Sequence, residues 1–270
     1  MGMICFASQK GAPGTTLTAL ALAASWPTPD SRRKLLLEAD AAGGSLALRY
    51  QLGLETSLVT LAVAARAGLD DETLAAHTQQ LPGGLAAVLA PDGPEQVRAA
   101  LRASGPQLAT WLGDHPGTDT IVDLGRLNDD ALPFISAARA LLMVARPQAE
   151  QLQPAARRMV DLATVCPSVG WILVGERPHT ADEIETTYGY PVVAVLPDDR
   201  RTASALESGS ISPRVTRSSL VRSANSAARD LASWLHPPPP PMTPEAEPVP
   251  GTSTDAQNGT EPALSVGRDR

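Results

Sequence analysis

Short runs of consecutive apolar residues recur along the first 235 positions, separated by longer windows in which apolar and polar residues alternate with helical spacing. The runs are Met3–Ala7, Lys34–Glu38, Leu85–Leu89, Thr120–Leu124, Leu141–Ala145, Trp171–Val174 and Val192–Val195. Their lengths suit strands buried on both faces, the pattern of a parallel sheet. The intervening windows read as helices over Thr15–Ser25, Thr56–Ala67, Asp70–His77, Pro94–Ala103, Gln148–Thr164, Ala181–Thr187 and Thr216–Leu235. Strand and helix in alternation imply right-handed crossovers and helices on both faces of the sheet. The expectation is one three-layer α/β domain over residues 1–236, with no internal repeat.

From Pro237 the pattern stops. The last 34 residues contain nine prolines, five of them consecutive, and few large apolar side chains. Such a segment cannot bury enough apolar surface to offset its ordering entropy. Residues 237–270 are therefore expected to be a disordered tail that begins as polyproline II, with docking into a partner's aromatic groove as the functional alternative.

Composition narrows the class. The net charge is −7 and 43% of residues are hydrophobic, but no uninterrupted apolar stretch is long enough for a membrane span. The N-terminal apolar segment is broken by Gln9, Lys10, Gly11 and Pro13 and has no basic lead, so a signal peptide is not expected. Two cysteines, Cys5 and Cys166, lack metal-site spacing, which excludes a disulfide scaffold or a cysteine zinc site and suits a reducing cytoplasm. The four histidines show no pairing and read as surface residues. Six arginines, Arg200, Arg201, Arg214, Arg217, Arg222 and Arg229, stand against Glu207 alone, a local basic stretch that suits either a solvated face or nonspecific phosphate contacts with DNA.

The candidate chemistry lies where strands end. Ser8-Gln9-Lys10-Gly11-Ala12-Pro13-Gly14-Thr15-Thr16 joins the first strand to the first helix, where backbone N–H groups and a helix N-terminus can surround a phosphate. Against G-x-x-x-x-G-K-[ST], Gln9 occupies the first glycine position, Gly14 the second, Thr15 the lysine and Thr16 the hydroxyl. Two further strands end in acids: Glu38-Ala39-Asp40, followed by Gly43-Gly44-Ser45, and Asp123 in Thr120–Gly125. At the C-terminal edge of a doubly wound sheet these carboxylates face the ligand position.

In this order and spacing the chain resembles the ParA/MinD family of deviant-Walker-A P-loop ATPases over about 235 residues. The resemblance implies a P-loop NTPase fold, ATP and Mg²⁺ as ligands, and a homodimer that positions a cellular cargo. Lys10 matches the family's signature lysine, which reaches the partner's nucleotide. The loop Gly11, Ala12, Pro13, Gly14, Thr15 and Thr16 would hold phosphates. Thr16, Asp40 and Asp123 would serve the metal, with Asp40 also orienting the attacking water. Leu141–Gln148 resembles the family strand ending V-x-x-P, and Val192–Asp199 resembles its terminal strand, placing Pro197 and Asp198 near the base. The departures are physical. Thr15 removes the point charge on the phosphates, Ala12 replaces a glycine, Pro13 removes an N–H, and Glu38 lengthens the first acid. Binding with weak or absent hydrolysis is the expectation. Leu81–Pro91 also resembles the TadZ/CpaE branch, which implies the alternative of a non-catalytic scaffold for a pilus or secretion assembly. A membrane-targeting helix is not expected from the proline-rich, acidic end.

Overall fold

The computed structural model describes residues 2–11, 14–27, 32–209 and 212–235. Ala12, Pro13 and the tail expected over 237–270 lie outside these residues. The first strand, β1 (Gly2–Ser8), leads into α1 (Thr15–Ser25) and β2 (Arg33–Glu38). Three short helices follow, α2 (Leu46–Tyr50), α3 (Leu58–Ala65) and α4 (Asp71–Ala76), then a hairpin of β3 (Gln79–Leu81) and β4 (Leu85–Val88). The long α5 (Pro94–Asp114) leads to β5 (Thr118–Arg126), a 3-10 turn, α6 (Leu132–Ala137) and β6 (Ala140–Ala145). The remainder is α7 (Ala149–Leu162), β7 (Val169–Val174), α8 (Ala181–Tyr188), β8 (Val192–Leu196), α9 (Arg200–Glu207), α10 (Pro213–Thr216) and α11 (Ser219–Leu235).

The strands form one sheet in the order β3-β4-β2-β5-β1-β6-β7-β8. Every neighbouring pair is parallel except the β3–β4 hairpin at the edge. The apolar alternation of β1 sorts its side chains to opposite faces. Met3, Cys5 and Ala7 join the core under α3, α5, α6 and α7, whereas Ile4 and Phe6 join the core under α1 and α11. Helices therefore cover both faces, and the expected three-layer α/β architecture is the observed one. Helix α11 shows how the pattern works. Leu220, Ala224, Ala227, Ala228 and Leu231 are buried at helical spacing, while Arg222 and Arg229 face outward.

Several elements depart from expectation. Helix α5 does not stop at Ala103 but runs through Gly105-Pro106 to Asp114. Tertiary packing outweighs the cost of the internal proline. Ser104 Oγ donates to the Ala62 carbonyl at 2.6 Å, and Leu108, Ala109 and Leu112 stay buried beyond it. The window Thr216–Leu235 splits, because α10 ends before Arg217 and α11 starts afresh at Ser219, where Ser218 Oγ accepts the Val221 N–H at 3.2 Å. Among the histidines, His115 is covered rather than superficial. Its Nε2 lies 2.8 Å from Asp71 Oδ1 and its ring lies against Trp111.

At the N-terminal edge of the sheet, Asp119 is buried and holds two elements together. Its Oδ2 accepts the Trp26 indole N–H at 3.1 Å and its Oδ1 accepts Arg32 Nε at 3.1 Å. Removing one partner of a buried pair leaves the other charge uncompensated. Asp119→Ala is therefore expected to lower unfolding stability by about 3 kcal/mol, read by urea denaturation. An unchanged midpoint would show that Arg32 finds solvent instead.

Candidate functional site

The parallel strands end together at Ser8, Glu38, Arg126, Ala145, Val174 and Leu196. Two adjoining cavities open above them. One, of about 350 Å³, is lined by Lys10, Gly11, Gly14, Thr15, Thr16, Asp40, Arg49, Arg126 and Glu207, among others. The other, of about 510 Å³, is lined by Leu17, Thr18, Arg146, Val174, Pro197, Asp198 and their neighbours. Gly14, Leu17 and Glu207 line both, so the two form one continuous groove over the start of α1. A polar half beside a more apolar half suits a ligand with charged and aromatic ends.

Of the loop residues, Lys10, Gly11, Gly14, Thr15 and Thr16 line the smaller cavity. Gly14 adopts φ 102°, a conformation only glycine takes without strain, and its carbonyl starts the helix by accepting the Thr18 N–H at 2.7 Å. Lys10 is exposed at the cavity wall, Thr15 is buried in the first turn of α1 and Thr16 is partly buried beside it. Pro197 and Asp198 fall in the adjoining cavity. Asp198 is held there by an ion pair of 2.7 Å with Arg146.

Asp123 sits beneath this surface, completely buried. Its Oδ1 accepts the Gly125 N–H at 3.0 Å, and its Oδ2 has no partner at hydrogen-bond geometry among the described residues. Burial pushes its carboxyl up to about 7. The adjacent Thr16 hydroxyl and the Gly125 N–H oppose this, while nearby Glu38 and Asp40 add to it. An orphaned buried carboxylate oxygen next to a hydroxyl fits a divalent cation that keeps its remaining ligands from water and phosphate. Thr16 and Asp123 are thus the residues able to hold Mg²⁺. No cluster of three or more His, Cys, Asp or Glu able to bind a metal unaided exists among the described residues.

Asp40 reaches the same cavity but is occupied locally. Its Oδ1 accepts the Ala42 N–H at 2.8 Å, and the Arg126 N–H also bonds its carboxylate. This approach requires Gly125. A Cβ there would lie 1.8 Å from Asp40 Oδ2, and the residue has φ 55°. The same glycine absorbs a one-residue bulge, since Phe6 pairs with Asp123 but Ser8 pairs with Arg126. Burial raises the Asp40 carboxyl above its ordinary value.

Glu38 is engaged within the fold. Its Oε1 accepts the Ser45 and Leu46 N–H groups at 2.6 and 3.0 Å, and its Oε2 accepts Ala90 N–H at 3.0 Å. It fastens the start of α2 and the strand β4 exit to β2, and no free oxygen remains for a ligand.

The sequence reading missed Arg49, Glu207 and Arg146 as groove residues. Arg49 lies on a five-residue helix too short to show periodicity, and Arg146 and Glu207 lie far from the loop in the chain. The six basic-stretch arginines are all exposed. They are spread over α9, α10, the turn after it and α11, and Arg200 lines the larger cavity rather than an outer face. Among the described residues no helix is long and apolar enough to cross a membrane.

No protein-family model and no curated protein sequence matches the chain. Solved structures do. The septum site-determining protein MinD from Pyrococcus horikoshii, complexed with Mg-ADP, superposes with a TM-score of 0.68 at 17% identity, covering 87% of this chain and 97% of that one. A ParA family ATPase from Chlorobium tepidum gives 0.65 at 19% identity, over 85% and 98% of the two chains. The ATP complex of a single-residue variant of Cyanothece McdA gives 0.62 at 16%, over 86% and 96%. The described chain therefore has the α/β fold of the MinD and ParA ATPases, a mostly parallel sheet between two helical layers with its groove at the strand ends.

Proposed function

We propose that this protein is a ParA/MinD-like nucleotide-binding protein that dimerises on ATP and Mg²⁺ to position a cellular cargo, with hydrolysis weak or absent. The observation that carries the reading is the unpartnered Oδ2 of buried Asp123, which lies beneath the groove beside Thr16, a residue of the groove wall. The Pyrococcus horikoshii MinD structure holds Mg-ADP and the Cyanothece McdA variant structure holds ATP. Thr16 and Asp123 would hold the cation, which would neutralise phosphate charge. The start of α1 would face the phosphates, and Pro197 with Leu17 and Val174 would line the base. Lys10, exposed at the rim, would reach a partner's phosphates. Asp40 would orient water only after leaving the Ala42 and Arg126 N–H groups, which makes slow hydrolysis the natural outcome. The exposed arginines of α9 to α11 would give the dimer a surface for DNA.

Calorimetric titration of Mg-ATP into the purified chain tests this. Binding is expected, and Thr15→Lys, which restores a cation in the first turn of α1, should tighten it about tenfold. ATP should convert monomers to dimers in light scattering. Dimers that form without nucleotide, with no heat from Mg-ATP for either protein, would overturn the reading in favour of a scaffold.

A further inference from the structure

The phosphate half of the groove has a cation from outside the loop, whose lysine position holds Thr15. Arg49 and Glu207 both line the 350 Å³ cavity with Thr15 and Thr16. Arg49 Nη1 lies 2.7 Å from Glu207 Oε1, and the two side chains are 31% and 42% exposed. Beside this pair, Tyr50 Oη donates to the Leu206 carbonyl at 2.9 Å. Helices α2 and α9 are thus joined by two adjacent bonds, one neutral and one ionic. The neutral bond keeps them docked if the ionic one opens. Half-exposed ion pairs are worth little, so Arg49 is free to exchange partners. A phosphate offers its planar guanidinium more charge and two oxygens for a two-point contact. Glu207, by contrast, places a carboxylate at both halves of the groove, where it repels any phosphorylated ligand.

We propose that Arg49 serves in place of the missing loop lysine, and that a nucleotide phosphate binds by taking Arg49 from Glu207. This rests on the nucleotide-binding reading above. Glu207 is then a built-in competitor that sets affinity, and the exchange couples α2, just after the Asp40 turn, to α9 on the base side. The other cations on the cavity wall do not fit the role as well. Lys10 and Arg126 are both exposed, whereas Arg49 is half-buried in the cavity wall.

Titration of Mg-ATP into the full-length chain decides it. Arg49→Ala should weaken binding about tenfold or more, with Arg49→Lys intermediate. Glu207→Gln should tighten binding several-fold, and that gain should vanish in the Arg49→Ala background. Circular dichroism melts check that each variant is folded; should Arg49→Ala fail to fold, Arg49→Lys takes its place in the cycle. The inference alone is overturned if the wild type binds but Arg49→Ala matches it within about twofold. It is also overturned if the Glu207→Gln gain persists without Arg49, or if Arg126→Ala causes the larger loss. No binding by the wild type, Thr15→Lys or Glu207→Gln would remove the nucleotide reading and this inference together.

Discussion

Glu38→Ala should lower the unfolding free energy by about 3–5 kcal/mol, the largest loss expected from any single carboxylate here. The side chain is 1% exposed and accepts three backbone N–H groups, from Ser45, Leu46 and Ala90. Truncation leaves all three donors in a pocket too tight for easy repair by solvent. Glu38→Gln separates charge from geometry. A neutral amide can still accept through its single oxygen, but its NH₂ must face a donor, so at least one contact becomes repulsive. Gln should therefore fall between Glu and Ala in urea unfolding. Equal midpoints for all three would mean that the Asp40–Ser45 turn rearranges freely, and Glu38 would be no anchor. Because that turn carries Asp40, the Ala variant should also speed amide hydrogen exchange at Ala42 to Leu46 ahead of global unfolding.

This residue also marks the limit of what the chain spells out. The spacing of acids after β2 is legible, and so is their position at the ligand edge, because strand ends in a parallel sheet share one side. The division of labour between Glu38 and Asp40 is not. A glutamate there reads as a longer aspartate. Only the path of the 85–92 segment, which brings the Ala90 N–H within 3.0 Å, turns it into a staple. Strands such as β1, β5 and β6 are legible because they are buried on both faces, a condition written in consecutive apolar residues. The edge strand Gln79–Leu81 carries no such signal, being short, half polar and paired only with β4.

The loop divides in the same way. Gly14 is legible as a turn glycine and has the positive φ that its place requires. Thr15 is legible as the loss of a cation. The supply of another cation from Arg49 depends on how α2 folds back over the sheet edge, which short-range pattern does not encode. Long helices whose apolar stripe continues, such as α7 and α11, are clear from periodicity, whereas the extension of α5 past Pro106 is decided by packing against α3 and α6.

Asp123 should make the ligand-free protein more stable in mild acid than at pH 8. Its carboxyl titrates near 7 in the fold, against an ordinary value of 3.8. Between about pH 4 and 7 the folded chain therefore carries a proton that the unfolded chain has released. Stability from this group is complete below about pH 4 and is lost as pH rises, with a slope of about 1.4 kcal/mol per pH unit until it levels off above 7. Burial raises Glu38 and Asp40 too, so they tilt the curve the same way. Asp123→Asn isolates the one group. From pH 8 to pH 5.5 the wild type should gain about 2 kcal/mol relative to the variant in urea unfolding. Parallel curves would show that Asp123 stays ionised and that its Oδ2 is hydrated. The same proton reports on function. If Mg-ATP brings a cation to Thr16 and Asp123, the carboxyl must ionise on binding. At pH 6, calorimetry in buffers of different ionisation enthalpy should then show proton release approaching one per site, absent from Asp123→Asn. A resting carboxylic acid thus becomes the carboxylate a cation needs, which ties the cost of an unpartnered buried oxygen to the arrival of its ligand.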